Sequence, residues 1–406
     1  MSAEPIVIVG AGHAAVQLCA SLTEAGQGHR VHLVGQEPEL PYQRPPLSKS
    51  FLKKADEPTQ LLREADWLER AGVQLSLGQA VVAIDRQAKT IGLADGRSLS
   101  YGQLVLATGT RARTQSAWPV DATNVYVLRS AQDARALRLA LASCSAVTGL
   151  GGGCIGLEVA ATCAGLGKQV RVLEAGPRLM GRAVSAALSD HVLQAHRTAG
   201  MSIELQASAR PEFHADRLTH LTTAAGRHAV DLLLLAIGAQ PEYELAQAAG
   251  LNCDDGIIVD AQLRTSDPDV LAIGDCARFP WGQAHLRLES IQNAQDQARC
   301  AASTLLNGSA ASYRPVPWFW SEQGRLRLQM VGLLDSVPAQ TFRREGAQPG
   351  ALSLFHYQQG ALRCVESVNA PADYIVARKW LEAGLSPPPD RLQDPSTPLR
   401  SILAQP

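Results

Sequence analysis

The strongest constraint on the fold is the stretch from Ile6 to Glu37. A short apolar run, a glycine-rich turn, a helix-forming segment and a second apolar run follow one another there and end on an acid. Ile6 to Val9 has the length and composition of a buried strand. Gly10-Ala11-Gly12-His13-Ala14-Ala15 follows it in the pattern GxGxxA. In that pattern Gly10 permits the tight turn, Gly12 lets the backbone approach a phosphate, and Ala15 allows close packing of the helix predicted over Ala14 to Ala25. The N–H groups and dipole at the start of such a helix face an anion. The second strand begins at Val31, and Glu37 comes after it, where a carboxylate can accept from a ribose hydroxyl.

The chain repeats this arrangement. Ala146 to Leu150 is followed by Gly151-Gly152-Gly153 and Gly156, and Leu157 to Ala160 opens a helix predicted to reach about Leu166. The strand Gln169 to Leu173 then closes on Glu174. Thr148 and Gly149 interrupt the apolar run, so this first strand is expected to be the poorer of the two. The apolar runs Gln103 to Gly109 and Asp231 to Gly238 close the two units in the same way. Two such fingerprints, each with a terminal acid, imply two dinucleotides on a duplicated α/β architecture.

Between and beyond these units the pattern changes. Pro41 to Lys49 carries three prolines and is expected to be a stiff, extended segment presenting Arg44 and Lys49. Trp67 and Leu68 lead to a strand over Val73 to Leu77. Short strands at 81–84, 90–93 and 98–101 surround the hairpin signal Asp95-Gly96. Arg111 to Pro119 reads as a linker, with a domain crossing near residue 112. Val270 to Ile273 is a buried strand ending on Gly274-Asp275, ahead of a helix over Ile291 to Leu306. Asp275 there suits either a ribityl hydroxyl or a helix N-cap. After Pro315 the alternation becomes that of an antiparallel sheet, with strands at 325–330, 353–357 and 361–368 and a helix over Ala372 to Ala383 stopped by Gly384. Trp318-Phe319-Trp320 opens this third, α+β region and supplies flat rings, for a core or for the wall of a large ring system.

Composition sets limits on function. A formal net charge of −1 gives no global field for nucleic acid or an anionic membrane. Neither a signal peptide nor a membrane span is indicated, which makes the cytoplasm the expected compartment. The eight cysteines are scattered, with no CxxC and no zinc-like grouping with histidine, and read as reduced thiols; no metal is expected.

With Gly10 to Gly12, Arg44-Pro45-Pro46-Leu47-Ser48-Lys49, Thr108-Gly109, Gly151 to Ala160, Gly274-Asp275 and Trp318 to Trp320 in that order, the chain resembles the NADH-dependent ferredoxin reductases. It is most similar to the flavoprotein components of bacterial aromatic-ring dioxygenases, with putidaredoxin and rubredoxin reductases as cousins. The resemblance implies a glutathione-reductase-like architecture of two Rossmann-like domains plus a C-terminal α+β domain. FAD would take residues 1–111 and 240–315, NAD residues 112–239, and the C-terminal domain residues 316–406. By motif position Gly10, Gly12, Ala14, Glu37, Arg44, Lys49, Val81, Arg129, Asp275, Ile291 and Trp320 would touch FAD. Gly153, Ile155, Glu158, Glu174, Arg182, Gly238 and Glu289 would touch NAD. A Lys49–Glu158 pair beside the flavin is implied as the catalytic tuning element. Cys154, the Thr148-Gly149 interruption and the segment Glu322-Gln323-Gly324-Arg325 depart from the family pattern.

The activity implied is hydride transfer from NADH to FAD, then single-electron transfer to a [2Fe-2S] ferredoxin serving an oxygenase. Alternatives are a reductase for a rubredoxin or a P450-type ferredoxin, an NADH-dependent disulfide reductase, and a redox-signalling flavoprotein. Neither nucleic acid nor membrane is expected as a partner, and monomer and homodimer both stay open. Glu174 at the strand end favours NADH over NADPH, with Arg178 and Arg182 as the residues able to relax that choice. Arg325, Arg327, Arg343 and Arg344 are expected to form a basic docking rim, the first two on one strand and the others on a neighbouring strand or turn.

Overall fold

The computed structural model describes residues 4–403 except 117, 120–121, 309–311, 335–336 and 338. The chain forms two compact units. One comprises Met1–Arg44, Pro58–Arg111 and Ala239–Pro315; the other comprises Pro45–Glu57, Ala112–Gly238 and Val316–Pro406.

The first unit is built on a five-stranded sheet in the order Val270–Ala272, Gln103–Leu106, Ile6–Val9, Val31–Val34, Gln74–Ser76. All four pairings are parallel, with Ile6 in register with Val31 on one side and Gln103 on the other. A central strand covered on both faces must be apolar throughout, and all four residues of Ile6–Val9 are buried. The helices His13–Glu24 and Ile291–Asn307 contribute Leu18, Leu22, Ala298 and Ala301 to the same core. A separate antiparallel sheet of Val81–Asp85, Thr90–Leu93 and Ser98–Ser100 turns at Gly96, whose φ of +87° suits glycine.

The second unit repeats the plan, with sheet order Ser202–Leu205, Gln169–Glu174, Ala146–Leu150, Leu232–Leu235, Val125–Tyr126, again all parallel. The strand Ala146–Leu150 is not the poor one expected. It is the middle strand of the five, and Thr148 and Gly149 lie buried within it, because ladders on both sides fix their backbone whatever their propensity. The same unit carries a five-stranded antiparallel sheet in the order Trp318–Gln323, Leu326–Gly332, Ala361–Val368, Leu352–Gln358, Gln340–Glu345. The helix Pro371–Glu382 packs on it through Tyr374, Ala377 and Trp380 and stops at Gly384, where φ is +66°. Two Rossmann-like parallel sheets and a C-terminal antiparallel sheet are therefore present, as expected.

Several local expectations change. Pro45–Ser48 is a 3-10 turn and Ser50–Lys53 a helical one, not an extended strap, because the fixed φ of proline also suits the first turn of a helix. Trp67–Arg70 is likewise helical. Asp275 is not the cap of the helix Ile291–Asn307; Ser290 is, and the strands Ala277–Trp281 and Ala284–Leu286 lie between them in the chain. Arg325 sits in the turn before the strand Leu326–Gly332 and not on it.

Candidate functional site

The two glycine turns have nearly the same backbone. Gly10 has φ +110° and Gly151 φ +108°, and their N–H groups donate at 2.8 Å to Val34 O and Leu173 O, respectively. A Cβ added at Gly10 would stand 2.2 Å from Ala107 O, and one at Gly151 2.2 Å from Ala236 O, so both positions require glycine. A Cβ at Gly12 or Gly153 would meet nothing within 4 Å. Open space therefore lies before each second glycine, as a pyrophosphate needs. The helices Ala131–Ser143, Ala186–Thr198 and Ile291–Asn307 start under serine side-chain caps, but His13–Glu24 and Cys154–Gly165 start at Gly12 and Gly153 with none. Two helix starts of this kind fit a dinucleotide phosphate each. Cys154–Gly165 also begins three residues before the start read from the sequence, which places Ile155, 46 % exposed, in its first turn.

The acids behave differently in the two units. Glu37 accepts from Tyr42 Oη at 2.5 Å and from Arg44 Nη2 at 2.6 Å. Glu174 accepts from the backbone N–H groups of Gly152 and Gly176, both at 2.6 Å, and so ties the strand end to the glycine turn. Arg178 donates to Val184 O and Gly181 O, each at 2.5 Å, and is occupied by its own loop. Arg182 is exposed and lies beside Gly238, 3.4 Å from where a Cβ would be.

Lys49 and Glu158 meet within the second unit, although 109 residues apart in sequence. Lys49 Nζ is 2.6 Å from Glu158 Oε2, with side-chain exposures of 18 % and 5 %. The same oxygen accepts from Ser48 Oγ at 2.5 Å, while Oε1 accepts from Ser321 Oγ at 2.9 Å and Glu322 N–H at 3.2 Å. The ammonium also donates to Pro45 O at 3.1 Å and Ser48 Oγ at 3.4 Å. A charge this deep is stable only with such a full complement of partners. Thr162 Oγ1 donates to Ser48 O, and Arg138 donates to the carbonyls of Phe51, Lys54 and Glu57, which fastens residues 45–57 to this unit. Ser48 and Ser321 escaped the sequence reading; only the alternation of Trp318–Gln323 pointed to the inward position of Ser321.

The other predicted residues divide between the units. Val81 opens its strand in the first unit. Gly274, with φ +79°, approaches Ala14, and its N–H donates to the buried Gln297 Oε1 at 2.7 Å; Asp275 follows it directly. Gln297 Nε2 is buried without a partner beside this turn, an orphan donor where FAD is expected. Arg287 donates to Asp275 O at 3.2 Å and to Glu289 Oε1 at 2.6 Å, a link the sequence reading missed, and Ile291 starts the following helix. Arg129, half-buried, donates its N–H to Asp133 in the second unit, where Trp320 stacks near Trp318 with centroids 5.9 Å apart.

The basic rim does not form as expected. The strand carrying Arg343 and Arg344 lies at the opposite end of its sheet from Trp318–Gln323, with two strands between it and Leu326–Gly332. Arg344 is buried and donates to the carbonyls of Leu392, Asp394, Pro395 and Thr397, so it anchors the C-terminal segment and cannot meet a partner. Arg327 faces Glu322 at 3.7 Å.

Burial pushes the thiols of Cys19 and Cys163 up to about 12, and none of the eight cysteines is in a disulfide. Among the described residues no group of His, Cys, Asp and Glu is arranged to hold a metal, and no helix is long and apolar enough to cross a membrane.

Residues 4–298 match the family model of the pyridine nucleotide-disulphide oxidoreductases, and residues 318–403 match that of the reductase C-terminal domain. The chain is 41% identical to rhodocoxin reductase of Rhodococcus erythropolis, over 98% of this chain and 94% of that one. It is 38% identical to the ferredoxin–NAD(+) reductase component of the anthranilate 1,2-dioxygenase system of Burkholderia cepacia, over 99% and 100%. Its structure resembles that in the covalent putidaredoxin reductase–putidaredoxin complex with a TM-score of 0.93 at 35% identity, covering 100% and 99% of the two chains. By its matched length and its doubled fingerprint, the chain belongs to the pyridine nucleotide-disulphide oxidoreductase family, in the branch of ferredoxin–NAD(P)+ reductases with a reductase C-terminal domain.

Proposed function

We propose that this protein is an FAD-dependent ferredoxin–NAD(+) reductase, which oxidises NADH and reduces a [2Fe-2S] ferredoxin serving an oxygenase, either an aromatic-ring dioxygenase or a similar monooxygenase. The doubled fingerprint carries the reading, since each copy has its own obligate glycine, open second glycine and uncapped helix start. FAD, when bound, supplies the exchange between a two-electron donor and a one-electron acceptor.

The chain's own residues bind and orient. Gly12 and the helix start behind it receive the FAD pyrophosphate, Glu37 accepts from its adenosine ribose, and Asp275 serves the ribityl chain. Gly153 and its helix start receive the pyrophosphate of NADH, and Glu174 accepts from its ribose. The preference for NADH is supported by Glu174, which would repel a 2′-phosphate, and by Arg178, whose guanidinium is already engaged with two carbonyls. Glu158 holds the Lys49 ammonium in place, so that a fixed positive charge stands at Nζ with all its protons directed to named acceptors. The thiols, five of the eight buried and none in a disulfide, argue against a dithiol relay and are in keeping with a reducing compartment such as the cytoplasm.

The test is turnover of NADH with cytochrome c as terminal acceptor. The reading expects strict dependence on an added [2Fe-2S] ferredoxin. Equal turnover without ferredoxin, or the appearance of two new thiols on NADH reduction, would refute it.

A further inference from the structure

Tyr42 has no role in any reading of the fingerprint, yet it is fixed against the acid that closes it. The residue is 5 % exposed, its hydroxyl donates to Glu37 Oε2 at 2.5 Å, and Arg44 donates to Glu37 Oε1 at 2.6 Å. Arg44 Nη1 also reaches Tyr42 Oη at 3.3 Å, and its guanidinium lies 5.3 Å from the centre of the phenol ring. The backbone beneath is pinned as well. Tyr42 bridges Leu61, Gln43 N–H donates to Gln60 O at 2.7 Å, and Leu62 N–H donates to Pro41 O at 2.9 Å.

A carboxylate has about two acceptor sites on each oxygen. Tyr42 and Arg44 take one site on each oxygen of Glu37, so that one remains on Oε1 and one on Oε2. Two parallel acceptor sites on a rotationally locked carboxylate match the two vicinal hydroxyls of a ribose. Without the two donors, Glu37, about a third exposed, would have to give up side-chain freedom on binding.

We propose that Tyr42 is a positioning residue for FAD: with Arg44 it locks Glu37 as a two-point acceptor for the cis-diol of the FAD adenosine ribose. This rests on the assignment of Glu37 to that ribose. Tyr42 Oη is bonded to the acid, so its effect on FAD passes through the diol.

The experiment is equilibrium titration of the apoprotein, wild type and Tyr42→Phe, with FAD and with an FAD analogue carrying 2′,3′-dideoxyadenosine, followed by flavin fluorescence. The dideoxy analogue should bind the wild type at least about tenfold more weakly than FAD, the loss of hydrogen bonds to a charged acceptor. Tyr42→Phe should weaken FAD by about fivefold to tenfold and the analogue by less than about twofold, since the locked acceptor then has nothing to receive. An unchanged Kd for FAD in Tyr42→Phe overturns the proposal. So does equal weakening of FAD and analogue, which would mark Tyr42 as merely structural. If the wild type binds FAD and analogue alike, the assignment of Glu37 itself is wrong, and the proposal falls with it. The ring-conserving substitution keeps the packing of Tyr42, and an unaltered thermal midpoint of the apoprotein checks that it does.

Discussion

Glu158→Gln removes one charge from a buried cluster with almost no change in volume. In the native chain the carboxylate accepts from Lys49, Ser48, Ser321 and the Glu322 N–H. An amide keeps one accepting oxygen but turns its own two protons toward neighbours that are themselves donors. Lys49 keeps Pro45 O and Ser48 Oγ and loses its carboxylate. Removing one partner of a fully buried pair costs about 3–5 kcal/mol, and the 18 % exposure of Lys49 lets water return and lowers this to about 2–3 kcal/mol. In a compact unit of some two hundred residues about 1 kcal/mol moves the thermal midpoint by about 2–4 °C, so a fall of about 4–12 °C is expected. Lys49→Met added to Glu158→Gln removes the stranded ammonium. The double variant should therefore recover about 1–2 kcal/mol relative to the sum of the singles. Thermal and urea unfolding of the apoprotein by circular dichroism, over the full double-mutant cycle, measures this. A fall below about 2 °C in Glu158→Gln, or strict additivity in the cycle, would refute the argument that Glu158 neutralises Lys49.

Glu174→Gln should lower kcat/KM for NADH by about tenfold to a hundredfold while sparing one backbone acceptor for the glycine turn, and should narrow the preference over NADPH; comparable wild-type values for the two nucleotides would contradict the assignment. Gly151→Ala would set a Cβ 2.2 Å from Ala236 O at φ +108°, so the protein should stay yellow but lose NADH binding, whereas Gly10→Ala should lose flavin; the converse pattern in absorbance and NADH titrations would exchange the two fingerprints. His196, buried and bonded to Gln323 at 2.8 Å, is held below its usual pKa by desolvation. Its native state thus binds fewer protons than the unfolded chain once the pH falls below about 6.5, and this stability is full above that value and is lost as pH falls through the folded one. The urea midpoint should drop between about pH 7 and pH 5.5, and His196→Gln should flatten that slope; an unchanged slope would dissociate His196 from it.

Local stereochemistry made the two fingerprints legible. Gly10 and Gly151 occupy a positive-φ turn where a Cβ would strike a carbonyl, and that demand is written in the residue type itself. The acids at the strand ends, the antiparallel C-terminal sheet and the stop at Gly384 are likewise local matters of period and backbone freedom. Lys49 and Glu158 were paired by resemblance alone, because the contact closes over 109 residues; of the serines that complete it, Ser48 had no signal of its own and Ser321 only the alternation of its strand. The misreading of the arginine rim has a tertiary cause. Strand order is decided by which faces the whole unit must bury, so the sequence could pair Arg343 and Arg344 with Arg327 only by proximity along the chain. Tertiary structure moved them to the far edge and buried Arg344 under four carbonyls. Thr148 and Gly149 show the same principle in reverse: they interrupt the apolar run and argued for a poor strand, and two neighbouring ladders supplied the hydrogen bonds that made it the middle of its sheet.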